Sequence, residues 1–420
     1  MDSEVFKLIK AEEKRQAETI NLIPSENYSS LAVRQALASC LTDKYAEGYP
    51  GKRYYQGNKI VDQVEQLVVG RAKKLFGVPH VNVQPYSGSP ANMAVYLALA
   101  KPSQTVMGMS FESGGHLTHG SPVNFSGRWF RVVSYGVGTD GWIDYDQIEK
   151  LAKKHRPKII WSGATAYPRL FDWEKFGKIA DKIGAFLVAD IAHYAGLIVG
   201  GAYPSPAPFA DVITTTTHKT LRGPRGAMIM VTKKGLKKDP KLGEKIDHWV
   251  FPGLQGGPHM NTIVAIAVAL AEAARPGFKK YAQQVVKNAC VLADQLLKYG
   301  FDLVSGGTDN HLILLDLRKL GVDGKKVAVR LEKTGIVVNA NSIPYDPALP
   351  MNPSGIRLGT PAVTTRGMKE KEMKIIAGWI NESLKFKTSA FVKTSADKQN
   401  SKLKEISSQV RNLCQKFPLP

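Results

Sequence analysis

Two strand-like runs narrow the folds open to this chain more than any other feature: Ala185 to Asp190 (AFLVAD), and Asp211-Val212-Ile213 leading into Thr214 to Thr217. The first is apolar at nearly every position up to its terminal aspartate. Such a strand is buried on both faces, which is the situation in a parallel sheet covered by helices. Upstream, Phe176, Ile179 and Ile183 recur on one helical face between Asp172 and Ile183, and Gly184 supplies the stop. Helix, buried strand and polar loop in succession predict an α/β fold.

Chemistry-bearing residues stand where such strands end. Asp190, followed by Ile191-Ala192-His193, lies at a carboxyl end, the edge at which open α/β sheets bind ligands. The second run passes through four threonines into His218-Lys219-Thr220 and a Gly/Pro loop, Leu221 to Gly226. A lysine desolvated in this position can attack a carbonyl and form a Schiff base. Taken singly, Asp190 would serve as a cap or ion pair and Lys219 as a solvated surface lysine. Taken with His193, they form the set that pyridoxal phosphate needs: a lysine for its aldehyde and a carboxylate for its pyridine nitrogen. A place for the phosphate is offered by Ser87-Gly88-Ser89-Pro90, after the strand-like Val81 to Tyr86 and before an apolar helical run, Ala91 to Ala100. Ser89 is expected as the N-cap and Pro90 as the first helical residue, with free N–H groups facing an anion.

Taken in order, the motifs resemble those of the serine hydroxymethyltransferases. They are Asn21 to Asn27 (NLIPSEN), Tyr45 to Tyr55 (YAEGYPGKRYY), Gln84 to Asn92 (QPYSGSPAN), Gly114 to Ser121 (GGHLTHGS), Val188 to Gly196 (VADIAHYAG), Thr214 to Gly226, Phe251 to His259 (FPGLQGGPH), Ser305 to Asp316 and Gly355 to Ala362 (GIRLGTPA). The resemblance implies the fold-type I pyridoxal phosphate architecture, similar to aspartate aminotransferase. That is a large, mostly parallel seven-stranded sheet sandwiched by helices, with a smaller C-terminal α/β domain. It implies reversible transfer of the serine hydroxymethyl carbon to tetrahydrofolate, giving glycine and 5,10-methylenetetrahydrofolate. Lys219 would hold the cofactor, Asp190 would pair with its pyridine nitrogen, His116 would stack on its ring and His193 would lie near its phenolic oxygen. Thr165 would supply a hydroxyl, while Ser87, Gly88, Ser89 and His218 would hold the phosphate. Tyr45 and Gly257 would complete that site from the neighbouring subunit of a homodimer, or of a tetramer. Arg357 would clamp the amino acid carboxylate, with Ser25, Tyr54 and Tyr55 around it. Glu47 would handle protons and Thr216 would restrict which bond reacts. Phe111, Gly115, His116, Leu117 and Asn341 would face the folate.

Several positions depart from the family's pattern. Thr165 stands in place of a serine, Phe111-Glu112-Ser113 precedes Gly114, Ala340 replaces a lysine, and Asp346 to Pro353 reads DPALPMNP. Most of these fall on the carrier side, which leaves a modified tetrahydropterin as an alternative carrier. A β-hydroxy-amino-acid aldolase shares the lysine chemistry without a carrier, and Gly114 to Gly120 together with Glu47 speaks against it. His119 and His259 are expected to be structural; Arg53 and Arg225 are either anion ligands or ion pairs. His116 and His119 are not expected to bind metal, since no cysteine or carboxylate cluster supports them.

Length and composition bound the rest. At 420 residues the chain exceeds one hydrophobic core. An arm is expected at 1–28, a cofactor domain at 29–274 and a smaller domain at 275–420. Helices are expected at 261–273, 278–299, 325–333 and 369–384, a strand at 312–315, and a polar connector at Lys387 to Ser401. Three scattered cysteines, Cys40, Cys290 and Cys414, suit a reducing cytoplasm. The acidic start, leading into a helix with Val5, Leu8 and Ile9 on one side, is not expected to be a targeting peptide, and no apolar run is long enough to span a membrane. The net charge of +21 raises nucleic acid binding as a rival, with lysines gathered at Lys233 to Lys245 and Lys385 to Lys404. Neither group is interleaved with aromatic residues, so a steering field for anionic substrates explains the charge better.

Overall fold

The computed structural model describes residues 2–384 and 393–420, with 393–399 described by backbone alone. The chain divides into two compact units, Ser29–Gln283 and Met1–Tyr28 with Gln284–Pro420. The helix Pro276–Lys298 runs across the boundary between them.

In the first unit the apolar runs become a seven-stranded sheet. Its order is His80–Asn82, Ala227–Val231, Val212–Thr216, Phe186–Asp190, Ile159–Ser162, Thr105–Met109 and Arg131–Tyr135. Ala227–Val231 is antiparallel to both neighbours, and the other pairings are parallel. The expected mostly parallel sheet is therefore present. Ile159–Ser162, Val212–Thr216 and Ala227–Val231 are buried at every position, as helices on both faces require. The register sets Asp190 beside Thr214 at the carboxyl ends. The helix Trp173–Ile183 starts on the Asp172 carboxylate, which accepts from the Lys175 N–H, and stops at the left-handed Gly184.

One boundary corrects the sequence reading. The helix expected to start after a Ser89 cap runs from Gly88 to Leu99 with Ser87 as its N-cap residue, so Pro90 falls in the first turn. Proline is tolerated there because first-turn N–H groups have no partner within the helix.

In the second unit a four-stranded antiparallel sheet has the order Asp302–Leu303, Leu312–Asp316, Gly355–Gly359, Asn339–Asn341. Ile20–Asn21 pairs in parallel with Ile336–Val337, and Ile20 and Leu22 are fully buried in this unit's core. Residues Val5, Leu8 and Ile9 of the helix Ser3–Glu18 are exposed, although they share the expected face. Part of the connector expected at Lys387 to Ser401 lies outside the described residues. From Lys393 the chain is helical to Lys416. Leu403, Ile406, Val410 and Cys414 form that helix's buried stripe, so an amphipathic helix with a polar first half replaces the expected connector from Lys393 onward.

Arg366 ties this unit's ends together. Its guanidinium donates to the carbonyls of Thr19 at 2.8 Å, Ala17 at 2.9 Å, Cys414 at 2.9 Å and Phe417 at 2.6 Å. These are the last carbonyls of two helices, which lack helical partners and carry the negative ends of the helix dipoles. Arg366→Met should leave them unpaired and cost about 3 kcal/mol, or about 6 to 12 °C in melting temperature for a unit of this size. A scanning calorimetry trace that matches wild type would contradict this.

Candidate active site

The site is built around the buried carboxylate of Asp190. Its Oδ2 accepts from Asn92 Nδ2 at 2.9 Å and faces His119 Nε2 at 3.2 Å, while its Oδ1 accepts from the Ala192 N–H at 3.0 Å. A carboxylate has about four lone-pair positions, so one on Oδ1 stays open. Burial alone would raise the Asp190 pKa, but the hydrogen bonds, from His119 foremost, hold it well below the ordinary carboxylate range. Gly163 makes this packing feasible: with φ +125°, a Cβ there would lie 2.2 Å from the Asp190 carbonyl oxygen.

Lys219 follows the strand Val212–Thr216, in a loop closed by Thr217. The Thr217 carbonyl accepts from the Gly223 N–H at 2.7 Å, and its hydroxyl donates to the Pro224 carbonyl at 2.6 Å. The Thr220 hydroxyl donates to the His193 carbonyl at 3.1 Å and accepts from the Gly196 N–H at 3.0 Å. The lysine loop is thereby fixed to the segment after Asp190. One cavity is lined by Lys219, Asp190, His193, His116, Thr165, Thr216 and Gly88, all expected from the sequence. Asn92 and His119 also line it, and the sequence reading missed them as site residues. Asn92 lies three residues after Ser89 on the same helix, and that spacing was the available signal. His119, expected to be structural, lies against the central carboxylate.

Four buried polar atoms in and beside this cavity have no partner: Asn92 Oδ1, Thr214 Oγ1, Thr216 Oγ1 and His218 Nδ1. Thr214 shares a strand face with Thr216. A Cβ on Gly88 would come within 2.9 Å of Thr216 Cγ2, so glycine leaves the helix start close to the strand. Ser87 makes no capping bond with its side chain. Orphaned acceptors, an uncommitted hydroxyl and a helix N-terminus suit a polar, anionic ligand such as pyridoxal phosphate. Burial pushes His116 down to about 4 and, with the charges of Lys219 and Arg225, His218 down to about 3.

Other expected residues gather elsewhere. Tyr45, Glu47, Tyr54, Tyr55 and Gly257 do not line the Lys219 cavity. The Tyr45 ring packs on Gly257, 3.3 Å from where a Cβ would stand, and the Glu47 carboxylate lies beside Gly256. The Tyr45 and Tyr55 rings meet edge to face at 5.1 Å. Tyr86 stacks on His259 at 4.1 Å and donates to the Gly257 carbonyl at 2.8 Å. Arg53 is an ion-pair residue, holding Asp62 at 2.8 Å and Glu65 at 2.6 Å beneath the loop. Phe111 and Leu117 are exposed. Gly115 admits no side chain, since a Cβ would sit 2.1 Å from the Met109 carbonyl oxygen. In the other unit Arg357 Nε donates to Asn339 Oδ1 at 3.1 Å, and Asn341 bonds its neighbour Ser342. Gly359 packs on Pro24, so Ser25 and the Arg357 strand are held by one unit. Among the described residues a larger cavity of about 660 Å³ in that unit carries one carboxylate, Asp323, already paired with Lys326.

The lowered histidine pKa values have a sign. His116 and His218 are neutral when folded and titrate near 6.5 when unfolded. The unfolded chain therefore binds more protons between pH 6.5 and about 4, and stability falls as pH drops through that window, by up to about 1.4 kcal/mol per pH unit per histidine. In cofactor-free protein His218→Asn should flatten this fall, as read from urea midpoints at pH 6.5 and 4.5; an unchanged slope would refute the assignment.

The family model described as serine hydroxymethyltransferase matches residues 1–380. A protein of that name from Acidothermus cellulolyticus is 55% identical over 420 residues, which is 100% of this chain and 96% of the relative. One from Desulfotalea psychrophila is 53% identical over 100% of this chain and 95% of its own length. One from Sorangium cellulosum is 52% identical over 100% of this chain and 96% of its own length. Matched from end to end in this way, the chain belongs to the serine hydroxymethyltransferase family.

Proposed function

We propose that this chain transfers the hydroxymethyl carbon of L-serine reversibly to tetrahydrofolate, giving glycine and 5,10-methylenetetrahydrofolate, with pyridoxal phosphate as its cofactor. The observation that carries this reading is Lys219, Asp190 and His116 converging on one cavity whose borders hold four orphaned polar atoms. When bound, the cofactor supplies an aldehyde carbon that takes up the amino group and a ring that draws electrons from the substrate's α-carbon. Lys219 Nζ would anchor that carbon and yield it to the incoming amino acid. Asp190 would accept the pyridine N–H at its open Oδ1 position and remain ionised there. Gly88 with Ser87 and Ser89, the Thr216 hydroxyl and His218 Nδ1 would hold the phosphate and its surroundings. His116 would cover the ring face, with His193 and Thr165 at its edge.

Arg357 would bind the substrate carboxylate with two parallel N–H groups, beside Ser25. Glu47, Tyr54 and Tyr55 would serve the substrate hydroxyl, and with Tyr45 and Gly257 would reach a neighbouring subunit's cavity in a homodimer. Phe111, Gly115, Leu117 and Asn341 would face the carrier. The division into an arm at 1–28, a cofactor domain at 29–274 and a smaller domain at 275–420 belongs to the same proposal, as does residence in the cytoplasm. Among the described residues no helix is long and apolar enough to cross a membrane.

Lys219→Arg should keep the fold and lose at least roughly 10³-fold in turnover, measured as serine carbon transferred to tetrahydrofolate. Substantial remaining transfer would reject the assignment. Wild-type serine cleavage that ignores tetrahydrofolate would point to an aldolase. Arg357→Lys should raise the serine KM roughly 10- to 100-fold through loss of the paired contact; an unchanged KM would remove the carboxylate role.

A further inference from the structure

Asn92 and Thr118 have no role in the reading above, yet both are buried against it, at 1% and 0% exposure. The Asn92 amide uses both N–H bonds, one to Asp190 Oδ2 at 2.9 Å and one to Thr118 Oγ1 at 2.8 Å. The reverse orientation would set its oxygen against a carboxylate, so the anion fixes the amide. Thr118 Oγ1 also stands 2.7 Å from His116 Nδ1, and it donates there because that nitrogen already takes a backbone N–H. The Thr118 backbone N–H reaches the same nitrogen at 3.2 Å. His116 Nδ1 therefore accepts, and its proton resides on Nε2. On the other side the His116 backbone N–H donates to His119 Nδ1 at 3.3 Å, which leaves His119 Nε2–H for Asp190. The bonds form a closed ring through Asp190, Asn92, Thr118, His116 and His119. The Tyr96 hydroxyl pins the turn by donating to the Thr118 carbonyl at 2.9 Å.

Resting on the functional reading above, we propose that Asn92 and Thr118 are positioning residues that lock His116 as a neutral imidazole protonated on Nε2 and couple its orientation to the Asp190 carboxylate. The two groups that would hold the cofactor, one at its nitrogen and one on its ring face, are thus set relative to each other before the cofactor binds. Such preorganisation removes the reorganisation cost at the reacting step. It also takes His116 Nδ1 out of proton transfer and leaves that task to other groups.

The test pairs a direct measurement with a substitution series. In histidine-labelled wild-type holoenzyme, ¹⁵N NMR should show His116 with a protonated Nε2 and a bare Nδ1; a proton on Nδ1 overturns the proposal. Thr118→Val keeps the backbone N–H and removes the hydroxyl. It should lower kcat about tenfold, the effect of one lost hydrogen bond, keep the serine KM within about twofold, and move the pH midpoint of the bound cofactor's visible band. Thr118→Ser should recover most of both losses. Equal effects of valine and serine, or a valine variant with the wild-type band and kcat, would overturn the coupling. If Thr118→Val does not fold, the wild-type tautomer alone decides. A wild-type protein without serine turnover would count against the functional reading instead, because the tautomer is read from the folded chain whatever it catalyses.

Discussion

A buried, ionised carboxylate is the constraint from which the rest of the site follows. An isolated carboxylate in a protein interior costs several kcal/mol even after relaxation. Asp190 is kept charged by an asparagine amide, a histidine N–H and a backbone N–H, which arrive from three different segments. Each donor demands a fold feature. Asn92 must lie on the first turns of the helix that starts at Gly88, His119 must end a tight turn, and Ala192 must follow the strand without a break. Gly163 gives the strand end its close fit, because any side chain there would strike the Asp190 carbonyl. The same constraint sets the tautomers of both histidines in the turn, so protonation and geometry are settled together.

Much of this was legible in the sequence, and the reasons differ by element. The strands at 186–190 and 212–216 announced themselves because two-sided burial leaves an uninterrupted apolar run. The helix at 173–183 showed its face and its glycine stop. Asp190 and Lys219 were visible because a charged residue at a strand's carboxyl end is poorly explained by packing. Asn92 showed only its helical spacing from Ser89, because its role depends on a carboxylate far along the chain. His119 reads as structural because a single sequence does not show which of two nearby histidines faces the anion. The helix from Lys393 was missed because its apolar stripe begins only at Leu403, after several polar positions.

The high positive charge also looks different once the side chains have partners. Of the lysines gathered between Lys233 and Lys245, Lys234 is held by Asp181 at 2.9 Å and Lys245 by Asp239 at 2.6 Å. Lys238 reaches the buried Asp211 and the Ala185 carbonyl. Lys234 and Lys238 tie the helix Lys233–Lys238 to the segments that lead into the strands at 186–190 and 212–216, while Lys245 pairs within its own segment, so composition alone overstated the free basic surface. Arg366 makes the same point in the other unit, where a guanidinium without an acidic partner among the described residues is bound by helix-end carbonyls.

Volume would have led to the wrong part of the molecule. Among the described residues the 660 Å³ cavity of the C-terminal unit is lined by aliphatic and basic side chains, two asparagines and one aspartate that Lys326 already pairs, with Arg330 Nη2 as its one orphaned polar atom. The Lys219 cavity is far smaller, yet orphaned acceptors and hydroxyls gather in and beside it. Orphaned polar atoms are costly wherever they occur, so their concentration around a lysine and an aspartate marks where a polar ligand would repay them. The charges agree with this. His116 and His218 are driven neutral by burial near a cationic lysine, and a phosphate dianion beside His218 would reverse the sign of that pressure. A site that disfavours extra positive charge on its own, and would accept it once an anion is present, is electrostatically complementary to a phosphorylated cofactor.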